Sequence, residues 1–84
     1  MSPEEVRKLV EEGITDAQVE VLGSGDRFRI RVVSDAFEGK RKVQRQQLVY
    51  GCINHLIRDG SIHAVELETL TPQEWQQAGG DSPA

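Results

Sequence analysis

The sequence predicts an α+β domain of order αββαβα, with a three-stranded mixed sheet that carries its helices on one face. The apolar residues alternate along three short stretches and fall at helical spacing along three others. Two of the helical stretches open with the same Ser/Thr-Pro-x-Glu signature, at Ser2 and at Thr71. A strand, a helix and a strand in succession close a right-handed crossover, so the third strand should run parallel to the second.

The first helix is expected over about residues 3–12: Ser2 caps it, Pro3 opens it, Glu5 completes the box, and Val6, Leu9 and Val10 form its apolar stripe before Gly13. Residues 17–22 alternate through Val19 and Val21. Residues 27–34 do so through Phe28, Ile30 and Val32, with Arg27, Arg29 and Arg31 on the opposite face. Gly23-Ser24-Gly25-Asp26 joins these as a hairpin, and residues 35–39 turn, with Gly39 supplying a positive φ. Residues 42–59 return to helical spacing, with Val49, Cys52, Ile53 and Leu56 on one stripe, Val43, Leu48 and Ile57 at its margins, and Gly60 as the stop. Residues 62–70 alternate with Val65 and Leu67 inward and Glu66 and Glu68 outward. A short helix holding Trp75 follows Thr71, the domain ends near residue 77, and 78–84 is expected to be a disordered tail. The outer sheet face sets Arg27, Arg29 and Arg31 against Glu20, Glu66 and Glu68, and is expected to face water. It offers no aromatic platform on which single-stranded bases could stack.

Composition limits the function. An 84-residue chain with 37% hydrophobic residues makes one domain with a modest core, short of material for a deep substrate pocket and its supporting shell, so a non-enzymatic role is expected. No apolar run approaches the roughly 20 residues that span a bilayer, and the start MSPEEVRKLV is acidic where a signal peptide is basic. A soluble cytoplasmic protein without membrane contact follows as the expectation. Cys52 is the single cysteine, which excludes an internal disulfide, and with His55 and His63 it leaves the chain one ligand short of a four-ligand Cys/His zinc site.

Charge is distributed unevenly. The segment 27–45 holds seven of the ten cations and two of the fourteen carboxylates, in a chain of net charge −4. Its densest part, Gly39-Lys40-Arg41-Lys42-Val43-Gln44-Arg45, sits where a helix begins, so those cations oppose the positive end of the helix dipole. Such a run either solubilises the domain or docks an anionic partner. His63 has the parity of Val65 and Leu67 at the start of the third strand, which suits a structural histidine bonded to a carbonyl or, with one ring nitrogen at the surface, a transition-metal ligand. Cys52 reads as a small buried hydrophobe, and His55 as a surface residue at the stripe's edge. Gly23-Ser24-Gly25 joins two strands and is a hairpin turn, not a dinucleotide fingerprint.

Phe37-x-Gly39 with the basic stretch behind it, Val49-Tyr50, His63-Ala64, and Thr71-Pro72-x-Glu74-Trp75 occur in this order at fixed distances. Together they resemble the BolA-like proteins, especially the short IbaG-like bacterial branch, from the first helix to Trp75. The resemblance implies an αββαβα fold related to the type II KH domain. It implies two functions: partnership with a monothiol CGFS glutaredoxin around a shared 2Fe-2S cluster and glutathione, in iron–sulfur trafficking or iron and redox sensing, or DNA-binding transcriptional regulation tied to stress. It places His63 at the family's histidine ligand position and puts the second ligand, a His or Cys, in the loop between the first two strands. Here that loop is Gly23-Ser24-Gly25-Asp26-Arg27, with neither residue. Asp26 is the substitute at hand, a hard oxygen poorly suited to an iron–sulfur cluster. The KH-type G-x-x-G clamp is absent between the helices. The expected protein is therefore a regulator or adaptor, with His63 as its one cluster ligand and Lys40, Arg41, Lys42 and Arg45 docking the glutaredoxin or its glutathione. In the alternative, those cations contact DNA. Alone, the chain is expected to be a monomer or weak homodimer without cofactor.

Overall fold

The first and last helices are each fixed at their start by a reciprocal cap, as the sequence suggests. In the computed structural model, which describes residues 2–79, Ser2 Oγ accepts the Glu5 N–H ahead of helix α1 (Pro3–Gly13), and the Glu5 carboxylate accepts the Ser2 N–H. Thr71 and Glu74 repeat this ahead of α3 (Pro72–Gln77). Between them lie β1 (Gln18–Ser24), β2 (Arg27–Val33), a one-turn 3-10 helix (Asp35–Phe37), α2 (Lys42–Arg58) and β3 (Ala64–Leu70). The strands lie in the order β1-β2-β3, antiparallel across the hairpin and parallel from β2 to β3. Residues 80–84, most of the expected tail, lie outside the described residues.

The core forms where the inward parity of β2 meets the apolar stripes of α1 and α2. Phe28, Ile30 and Val32 pack with Val6 and Val10, and with Val49, Ile53 and Leu56, all buried. Two connecting residues complete it. Ser34 Oγ accepts the Ala36 N–H, and the tight turn it starts drives Phe37 into the core at 0% exposure. Ile62, expected as the first residue of a strand, is also fully buried, and its N–H is spent on Leu56 O at the end of α2. The third strand consequently starts at Ala64, two residues later than its alternation suggests.

The hairpin is tighter than expected. Ser24 pairs with Arg27, leaving only Gly25-Asp26 as the turn, with Gly25 at φ 67°. Gly23 has φ 125°, and a Cβ there would collide with the Arg27 carbonyl. On the outer face Arg29 pairs with Glu66 at 3.0 Å, and Arg31 with Glu20 at 2.7 Å and Glu68 at 3.9 Å. Exposed pairs of this kind contribute about 0–1 kcal/mol each, so they specify register more than they stabilise. This face is not left wholly to water: α3 follows directly on β3, and the Trp75 ring stacks on the Arg31 guanidinium, 4.2 Å from its centroid.

Because β2 and β3 are parallel, α2 must run back along the sheet between them. Its 17 residues, at about 1.5 Å each, separate its two ends by about 25 Å. The start of α2 lies beside the last residues of β3, where Arg45 reaches Thr69 O. Its end lies beside the hairpin turn and His63.

Candidate functional site

At the hairpin end, the backbone makes a rigid seat for one side chain. Gly60, at φ 83°, ends α2, and the Asp59 carboxylate accepts the Ser61 N–H at 2.8 Å; hydrogen bonding from Ser61, its side chain first and its N–H second, holds Asp59 below the usual carboxylate range. Ile62 then plugs the core, and Ala64 enters the sheet. Between them the His63 and Ala64 N–H groups both donate to the Asp26 carbonyl, at 2.8 and 3.1 Å. His63 is thereby held against the turn, with its side chain 66% exposed. This corrects its expected placement on the core side, because the strand alternation has not begun at residue 63. Its Nδ1 lies 2.6 Å from Asp26 Oδ2. The Asp26 carboxylate is therefore placed to accept a proton carried on Nδ1, while Nε2 lies beside Gly60. Asp26, considered above as a second ligand, is engaged instead on the imidazole's other nitrogen.

Neither remaining soft or nitrogen donor joins this site. Cys52 Sγ donates to Leu48 O at 3.4 Å and faces Gly13, and burial pushes its thiol up, away from the reactive thiolate form. His55 is exposed on the last turn of α2. Among the described residues, no three His, Cys, Asp or Glu side chains converge to hold a metal ion.

The basic segment lies at the opposite end of α2, so one small ligand cannot touch both regions. Lys40, Arg41 and Lys42 are exposed, and the first turn of α2 contains no acidic residue. Gln44 Oε1 accepts the Arg41 N–H at 2.9 Å, while Lys40 Nζ donates to Ala36 O at 2.7 Å. Arg45 has a different task from the docking role expected of it. Its side chain is 13% exposed, its guanidinium forks onto Glu74 at 2.6 and 3.3 Å, and it also donates to Lys40 O and Thr69 O. It ties the start of α2 to β3 and α3. The Arg45 bond is the main reason that Glu74 sits below the usual carboxylate range, with the Thr71 N–H adding to it. Nothing in the local sequence announces this partnership, because Glu74 lies 29 residues away and already has a visible role as a cap.

These features define a class: a small α+β domain with an exposed imidazole seated against a hairpin turn at one pole and exposed cations at the other. The family follows from comparison with known proteins. Residues 9–74 match the family model described as BolA-like protein, and the chain belongs to that family. It is 35% identical over 75 residues to the acid stress protein IbaG of Escherichia coli strain K12, covering 89% of each chain. It is 42% identical over 64 residues to the DNA-binding transcriptional regulator BolA of Vibrio cholerae, covering 73% of this chain and 57% of that one. Among solved structures, a bolA protein homologue from Coxiella burnetii superposes with a TM-score of 0.78 at 28% identity, over 90% of this chain and 97% of that one. The two named relatives are thus a stress protein and a DNA-binding transcriptional regulator.

Proposed function

We propose that this domain is a non-enzymatic adaptor whose partner is a monothiol glutaredoxin, docking at the hairpin end, with His63 Nε2 as the chain's single ligand to a shared 2Fe-2S cluster. The observation that carries this is the imidazole itself, exposed and seated by backbone bonds, with Nδ1 turned to the Asp26 carboxylate so that Nε2 is the nitrogen Asp26 does not engage. Donor chemistry fits one imidazole ligand and no more. The turn supplies neither thiolate nor a second imidazole, so the two-ligand arrangement does not fit this chain. A cluster, when bound, supplies redox-active iron; the domain's own contribution is to present a neutral nitrogen lone pair on a rigid edge and to select the partner's surface. With a single ligand from this side, the cluster should be more easily released than in a two-ligand site. Anaerobic size-exclusion chromatography with a cluster-loaded CGFS glutaredoxin tests the reading. A coloured heterodimer with altered visible circular dichroism is expected, and His63→Ala should abolish the spectral change. Two separate peaks and an unchanged wild-type spectrum would sink it.

A second reading rests on the other pole. Lys40, Arg41 and Lys42 crowd the uncompensated positive end of a 17-residue helix, and one relative is named a DNA-binding regulator. If these cations contact phosphates, log affinity for duplex DNA should fall with log salt by about 0.9 per phosphate neutralised. Salt-independent binding would count against it.

A further inference from the structure

We infer that Asp26 is a positioning residue, which fixes the ring orientation and tautomer of His63 so that Nε2 is the only nitrogen it offers a partner. The inference rests on the adaptor reading for its purpose, and on geometry alone for its content. Three contacts join residue 26 to the start of β3: its carbonyl accepts the N–H groups of His63 and Ala64, and its carboxylate lies 2.6 Å from His63 Nδ1. The backbone pair locks the relative position of the two residues, so the side-chain bond selects a ring orientation and does not have to hold the hairpin together. Imidazole in water favours the Nε2–H form, which would present a donor where an electrophilic metal centre needs a lone pair. A short, charge-assisted bond from Nδ1–H to the Asp26 carboxylate reverses that preference and leaves the lone pair on Nε2. The turn makes this exact placement depend on loop length. With only Gly25 and Asp26 between the paired residues Ser24 and Arg27, one inserted residue would carry the carboxylate away from the ring.

The assignment also explains why an aspartate in the turn is useful although it is a poor cluster ligand itself. It acts through the histidine, as an outer partner of a ligand does in metal sites generally.

Long-range nitrogen–proton NMR of the isolated full chain, at a pH where His63 is neutral, reads the tautomer directly. The Nδ1–H form is expected to predominate in the wild type. Asp26→Asn, which keeps an acceptor of the same shape, should retain it, while Asp26→Ala should return the ring to the Nε2–H form. A wild-type ring mainly in the Nε2–H form, or one unmoved by Asp26→Ala in a chain whose circular dichroism is unchanged, would overturn the inference. If the alanine chain fails to fold, the wild-type tautomer alone decides. In the glutaredoxin complex, Asp26→Ala should weaken cluster-dependent pairing about tenfold or more. Failure of the wild type to pair at all would remove the adaptor reading while leaving the tautomer result standing.

Discussion

Arg45 shows how far a residue's role can depart from its neighbourhood in the chain. It lies in a run of cations that reads as a docking surface, but it alone has a carboxylate and two carbonyls within reach, and it serves the fold. Arg45→Met keeps the aliphatic stem and removes the bonds; losing the two carbonyl contacts should cost about 1–2 kcal/mol in urea unfolding. Glu74 contributes with a definite pH dependence. Its folded-state pKa is depressed, so its stabilisation is complete above the ordinary carboxylate value and disappears as pH falls through the lower folded value. Thermal melts from neutral pH down to about pH 3 should therefore decline less steeply for Glu74→Gln than for the wild type, once both are normalised at neutral pH. A steeper decline in the variant would contradict the sign. The contrast with His63 is instructive: its identity as the residue to watch was legible from the family pattern, but its exposure was not, because strand parity has no meaning at a residue the strand does not include.

At the level of elements, the caps, the main apolar stripes and the existence of the hairpin were all written locally. What local spacing missed is where chain geometry overrode alternation. Ile62 has no strand partner and buries itself by closing the end of α2, and the hairpin needed two turn residues where its Gly-Ser-Gly-Asp composition suggested four. Two glycines separate conformational need from mere presence. Gly51 lies exposed on α2, without a positive φ, and a Cβ there would meet open space. Gly51→Ala should therefore stabilise the domain by about 0.5–1 kcal/mol. Gly23→Ala should do the opposite, since its φ of 125° and the Arg27 carbonyl both exclude a side chain. Urea midpoints moving in the same direction for both variants would refute this assignment.

Across the whole molecule, the parallel crossover decides the layout of function. It sends α2 the length of the sheet and so holds His63 and the Lys40–Lys42 cluster about 25 Å apart. Substitutions at that separation should act independently. Replacing Lys40, Arg41 and Lys42 with glutamine should flatten any salt dependence of DNA binding and leave glutaredoxin pairing intact, while His63→Ala should do the reverse; a cross-effect beyond about threefold in either affinity would contradict the two-pole layout. The single tryptophan adds a further consequence. Trp75, stacked on Arg31, belongs to the cationic pole, far from the hairpin turn. The domain thus carries an intrinsic fluorophore at one end only. A partner arriving at the start of α2 should perturb its emission, whereas one seated on His63 should leave it unchanged unless the partner itself absorbs there, so a label-free titration can report which pole has been occupied.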